Sequence, residues 1–159
     1  MKEIAIVSEV SIDLQPPPTT RQRVLVRETF GLLAPDAADV VSLLYARLFD
    51  VAPTLRPLFH GDMRAQGDKL VQALALAVSH LDDLESIAPD VRALGKRHGQ
   101  YGATAVDFET VGGVLLWTLE QTLRDRFTPE VREAWTVVYG VLSGIMKQGL
   151  AETAGEPAA

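Results

Sequence analysis

The chain has no cysteine in its 159 residues. That excludes disulfides, thiolate zinc sites, iron–sulfur clusters and covalent c-type haem attachment, so any metal or cofactor must be held by other side chains. Long apolar runs are also missing. Hydrophobic residues make up 47% of the sequence, yet no stretch reaches the roughly 20 uncharged residues of a membrane span. Basic residues are the minority, 15 Lys and Arg against 21 Asp and Glu, for a formal net charge of −6. An extended phosphate backbone would meet a repulsive average field, so nucleic-acid binding is not expected. Beyond residue 19 there is no sheet-like alternation and no repeat period, and no GxGxxG unit follows a strand, which removes a flavin or nicotinamide domain. In the opening MKEIAIVSEVSIDLQPPPTT, Glu3, Glu9 and Asp13 break up the apolar residues. A signal peptide lacks such interruptions, so a cytoplasmic protein without a membrane partner is the expectation.

What is present organises as one domain between two short flanks. Residues 1–19 read as an N-terminal extension. Within it, IAIV and the partial alternation of Val10, Ile12 and Leu14 allow a short strand, while the prolines at 16–18 favour an extended segment, disordered or docked on a neighbour. Residues 151–159, AETAGEPAA, read as a flexible tail. Residues 20–150 read as helices. Thr19 or Thr20 caps the first, which runs to about Leu33; Asp36 caps the second, which Pro53 ends. The connector APTLRPLF has no room for a regular helix. Further helices are expected over about 64–82, 84–100 and 107–125, and a last one from Thr128, Pro129 and Glu130 to about Leu150.

Apolar stripes recur at helical spacing: Val41, Leu44, Tyr45, Leu48 and Phe49; Phe108, Val111, Leu115 and Leu119; Val131, Trp135, Val138, Leu142 and Ile145. The third helix is apolar around much of its girth from Leu70 to Val78, which predicts a helix enclosed by others at the centre of an all-α fold.

The stretch ALGKRHGQYG ends a stripe of Ile87, Val91 and Leu94 with His98. Such a histidine either satisfies a core or cap position or binds a ligand. Tyr101 is its only obvious local partner, and in a cysteine-free helical protein an inward imidazole is the best available axial ligand for a haem iron. An opposite wall is also visible. Gln66 and Leu70 share a helix face with Ala73, Leu74 and Ala77, placing one hydrogen-bond donor over a dry floor. Tyr45 lies on the second stripe, where its hydroxyl either bonds a core carbonyl or serves a ligand. Phe59 either fills core or walls a pocket.

In order, LLYARLF, PTLRPLF, LGKRHGQYG, TVGGVLLWTLEQTL and FTPEVREAWTVVYGV resemble the globins, and within them the neuroglobin-related bacterial single-domain haemoglobins, over residues 20–150. The resemblance implies an all-α globin fold, a 3-over-3 helical sandwich around non-covalent haem b. On that resemblance His98 is the proximal iron ligand, Phe59 the aromatic packed on the haem, Gln66 the distal residue, Leu70 the apolar contact one turn later, and Tyr45 the distal tyrosine. Leu94, Tyr101 and Phe108 line the proximal side. Lys69, and Lys96 or Arg97, either reach haem propionates or are solvated surface.

Three departures refine these expectations. Neuroglobins carry a distal histidine that makes the iron six-coordinate; Gln66 stands there instead, which implies an open, five-coordinate iron. His60 and His80, the other two histidines, are not expected to bind it. Flavohaemoglobins tie the proximal histidine to a tyrosine and a glutamate, whereas this chain has Phe108 and, in the tail, Glu152, so their electronic push is not expected. The resulting expectation is tight binding of O2, and of CO and NO, through Tyr45 and Gln66. Nitric oxide dioxygenation served by an external reductase is the enzymatic version. A gas or redox sensor with an internally ligated iron, acting through a separate partner, is the alternative. Either a monomer or a weak homodimer is expected.

Overall fold

Helix starts follow from capping chemistry. In the computed structural model, which describes residues 16–154, Thr19 Oγ1 accepts the Gln22 amide at 3.1 Å and Gln22 Oε1 accepts the Thr19 amide at 2.9 Å. This reciprocal pair opens α1, Thr20–Leu33. Pro35 lies in a 3-10 turn, Ala34–Asp36, that leads directly into α2, Ala37–Val51. Asp36 holds the cap position there, but its side chain makes no cap hydrogen bond; the continuous 3-10 turn takes over the role expected of it. A second 3-10 segment, Pro53–Leu58, fills the connector. The Asp62 carboxylate accepts the Arg64 amide at 3.0 Å and opens α3, Met63–Ser79. A 3-10 turn, Leu84–Ile87, precedes α4, Ala88–Gln100. The Asp107 carboxylate accepts the Thr104 amide at 2.9 Å at the start of α5, Ala105–Leu123. Thr128 Oγ1 accepts the Val131 amide at 3.1 Å and opens α6, Pro129–Ala154.

No strand occurs among the described residues, and none of their helices is long and apolar enough to cross a membrane. The strand-or-extension expectation for the first 15 residues lies outside the described residues, as do the last five. Pro16 to Thr19 run without regular structure, and the Pro18 carbonyl accepts Arg23 Nη1 at 2.9 Å. Within the tail expected from 151, residues 151–154 are helical instead, since α6 continues to Ala154 and carries Glu152, exposed, on its last turn.

The core is built from one stripe of each of four helices: Leu25 and Val26 of α1, Leu44 and Leu48 of α2, Leu115 and Leu119 of α5, Trp135 and Val138 of α6. Trp135 Nε1 donates to Thr29 Oγ1 at 2.8 Å and joins α6 to α1 inside that core. The enclosed third helix does not appear. In α3 only Gly67 and Ala77 are buried, and Leu76 is 44% exposed; the central helix is α5, with seven buried residues. Much of the apolar girth of α3 is alanine, whose small area faces water at little cost.

Although consecutive, α3 and α4 choose different neighbours: α3 packs chiefly on α2, α4 chiefly on α6. Each carries half-buried apolar side chains, Leu70 and Leu74 on α3, Val91 and Leu94 on α4.

Candidate cofactor site

His98 sits on the last turn of α4, and its Nδ1 is 2.8 Å from the carbonyl oxygen of Leu94 one turn earlier. A carbonyl only accepts, so Nδ1 carries the proton and, in the neutral ring, Nε2 keeps its lone pair. Metal-bound histidines are oriented in this way. The half-buried ring lies between two aromatics: Phe108 at 6.0 Å, tilted 43°, and Tyr101 at 6.2 Å, tilted 55°. Phe108 is buried while Tyr101 is 60% exposed, so Tyr101 forms an outer edge and Phe108 an inner wall. The Phe108 backbone is itself held, since the Tyr139 hydroxyl donates to its carbonyl. Burial pushes the Tyr139 hydroxyl far above the ordinary tyrosine range, which keeps it a neutral donor. Gly112 makes room for that ring; a Cβ there would stand 2.7 Å from Tyr139 Cε2.

Three other aromatic rings cluster where α2 meets the segment after its end. Tyr45 and Phe49, one turn apart on α2, stack at 6.0 Å, and Phe59 sets its edge against them at 5.4 and 5.2 Å. Burial raises the Tyr45 pKa, and its hydroxyl makes no hydrogen bond to the described residues. The bland alternative, a core tyrosine bonded to a carbonyl, is therefore not what the structure contains. Gln66 is half-buried, and its Nε2 reaches the His60 carbonyl at 3.4 Å, a long bond that tethers it weakly. Leu70, one turn on, packs against the core. Just beyond His98, a Cβ on Gly102 would lie 3.2 Å from Leu58 Cδ2, so the chain after α4 approaches the end of the 3-10 segment.

The structure thus sets His98 beside Leu94, Tyr101 and Phe108, and clusters Tyr45 with Phe59; Gln66 and Leu70 stand one turn apart on α3. It leaves Lys69 and Arg97 on exposed faces. Of the other histidines, His60 is exposed, and His80 keeps Nδ1 within 3.0 Å of both the Leu76 carbonyl and Ser79 Oγ on its own helix. Phe49 and Tyr139 join the site although the sequence had shown them only as stripe and motif residues; a ring pair across helices leaves no mark in local spacing.

The donor set fits haem. No group of three His, Cys, Asp or Glu side chains gathers as a metal site among the described residues. A lone imidazole with a free Nε2, facing aromatic and aliphatic walls, suits an iron whose remaining ligands come from a flat apolar macrocycle.

Comparison with known proteins agrees. The globin family profile matches residues 42–146. Neuroglobin-1 of Oncorhynchus mykiss is 28% identical over 148 residues, covering 84% of this chain and 93% of that protein. Neuroglobin of Tetraodon nigroviridis is 28% identical over 154 residues, covering 88% and 97%. A bacterial globin from Campylobacter jejuni superposes with a TM-score of 0.76 at 20% identity, covering 87% of this chain and all of that one, a likeness of fold. With the family pattern running from the aromatic helix α2 through His98 into α6, the chain belongs to the globin family of haem- and gas-binding proteins.

Proposed function

We propose that this globin holds haem b on His98 and binds O2 with high affinity at the opposite face, where Tyr45 and Gln66 donate hydrogen bonds to the ligand. When bound, the cofactor supplies a ferrous iron that takes diatomic gases reversibly. The single observation that carries the reading is the committed Nδ1 of His98, which leaves Nε2 available on a half-buried ring beside Phe108 and Tyr101. The chain's residues supply the rest. Leu94 orients the imidazole, Phe108 and Tyr101 flank it, and Phe59 and Leu70 keep the distal side dry. Tyr45 offers a hydroxyl without another protein acceptor, and Gln66 an amide held only by a long bond. With a glutamine at position 66 and His60 exposed, the reading is an open, five-coordinate iron and not an internally ligated sensor. Lys69 and Arg97 are placed to serve propionates only through side-chain extension.

A hydrogen bond to a ligand that gathers negative charge is worth roughly 1.5–3 kcal/mol, an order of magnitude or more in affinity. Slow release of O2 favours its consumption over delivery, and we assign nitric oxide detoxification to nitrate as the use of this site, with electrons from an external reductase. The test is the visible spectrum of the haem-supplemented protein in ferric, reduced and CO-bound forms, beside His98→Ala. A single broad ferrous band that sharpens with CO, and is lost or strongly shifted in the variant, is expected. Paired sharp ferrous bands before CO is added would overturn the open site in favour of internal ligation.

A further inference from the structure

Helices α4 and α6 approach one another closely, and the approach is made by glycine. A Cβ on Gly95 would lie 2.0 Å from the carbonyl oxygen of Met146, and a Cβ on Gly149 would lie 1.9 Å from the carbonyl oxygen of Arg92 and 2.8 Å from the Lys96 amide nitrogen. These neighbours are backbone atoms, so no rotamer change relieves the clash. The two helices therefore meet backbone to backbone. Further bonds fasten the same turns: Thr153 Oγ1 donates to the Lys96 carbonyl at 2.9 Å, and Arg92 Nε reaches Gln148 Oε1 at 3.5 Å. Gly99 continues the seam with softer neighbours, the side-chain ends of Leu150 and Thr153.

His98 rides on this seam. It lies between Gly95 and Gly99, and its ring is bonded to the Leu94 carbonyl in the fastened turn. The direction of Nε2 is thus a rigid extension of the α4–α6 contact.

We propose that Gly95 and Gly149 are positioning residues for the axial ligand: the backbone contact they permit sets the height and tilt of the His98 imidazole over the cofactor, and with it the strain on the iron–imidazole bond. This rests on the reading of His98 as that ligand. A methyl group at either position forces α4 away from α6 and carries the imidazole with it. Alanine ordinarily favours a helix interior over glycine, so a disturbance here comes from the clash alone.

The measurement is the iron–imidazole stretching band in the resonance Raman spectrum of the ferrous, unligated, haem-loaded protein, together with the O2 dissociation rate. Gly95→Ala and Gly149→Ala are expected to shift the band in the same direction and to change the dissociation rate on the order of tenfold, the equivalent of about 1.4 kcal/mol. Gly113→Ala on α5, where a Cβ meets open space, is expected to leave both unchanged. The decisive control detaches the ligand from its helix, with His98→Gly supplied with free imidazole. On that background the seam substitutions are expected to leave the band in place, which a general loosening of the pocket would not do. Wild-type band positions in folded, haem-loaded Gly95→Ala and Gly149→Ala overturn the proposal, and so does a shift that persists with free imidazole. Should both seam variants fail to fold, Gly99→Ala carries the test with the same readouts, and a band at the wild-type position then overturns it. Failure of the axial-ligand reading shows separately, as a haem spectrum that His98→Ala does not alter.

Discussion

At the residue scale, Tyr45 and Trp135 show how the same side-chain chemistry is spent in two ways. Tyr45 keeps a hydroxyl unbonded to the described protein atoms beside Phe49 and Phe59. If it donates to a distal ligand, Tyr45→Phe should cost O2 affinity about tenfold or more and CO affinity less, because CO gathers less negative charge. Laser-flash kinetics with both gases check this, and equal losses would count against the donor role. Trp135 instead has its N–H committed to Thr29, with both residues nearly inaccessible, 3% and 4% exposed. Thr29→Val preserves shape but orphans the buried indole donor, so a loss of about 1–3 kcal/mol in urea unfolding is expected, with no change in the haem spectrum. The half-buried position of His98 was legible in the sequence from the apolar stripe that it ends. The Leu94 carbonyl that fixes its tautomer is implied by helix geometry alone. The ring contacts of Tyr45 with Phe59 were not legible, since they depend on how α2 and the 3-10 segment dock.

At the scale of the element, the two adjacent glycines of α5 have opposite meanings. A Cβ at Gly113 meets nothing within 4 Å, while one at Gly112 runs into the Tyr139 ring. Replacing the first by alanine removes a flexible residue from a helix interior and should stabilise by about 0.5–1 kcal/mol. Gly112→Ala should destabilise and also disturb Tyr139, whose hydroxyl holds the Phe108 carbonyl behind His98. Thermal unfolding of the pair would show shifts of opposite sign; stabilisation by both would mean that Tyr139 moves aside freely. From the letters GG the two cannot be told apart, because the distinction lies in the neighbouring helix. Caps and prolines, by contrast, marked the ends at which they stood: Thr19, Pro53 and Thr128 act where their chemistry suggests, though Asp36 does not. The failure at α3 has its own logic. Counting alanines as apolar made its girth look uniformly buried, whereas only Gly67 and Ala77 are.

At the scale of the whole molecule, α1 lies across the bundle and is tied at two places by exposed ion pairs. Arg21 makes a two-pronged contact with Glu130 at the start of α6, both distances 3.2 Å, and Arg23 and Arg27 reach Asp82, beyond the end of α3, both at 2.9 Å. The Asp82 carboxyl is held below its ordinary value of 3.8, first by the hydrogen bond from Arg27 and then by the charges of Arg27 and Arg23. Glu130 is lowered in the same way by Arg21. A carboxyl depressed in the folded state contributes stability above its unfolded pKa, and loses that contribution as pH falls through the folded value. The contribution of these pairs is therefore intact at neutral pH and fades only below about pH 4. With the Asp82 side chain 70% exposed, screening keeps it small. Asp82→Asn should accordingly lower the urea midpoint modestly at pH 7 in low salt, and the gap to wild type should close both near pH 3 and in concentrated salt. A gap that survives both conditions would mean that Asp82 acts through turn geometry between α3 and α4 instead of through charge. In that case the placement of those helices would depend on the turn itself, and the haem affinity of the variant would fall along with its stability.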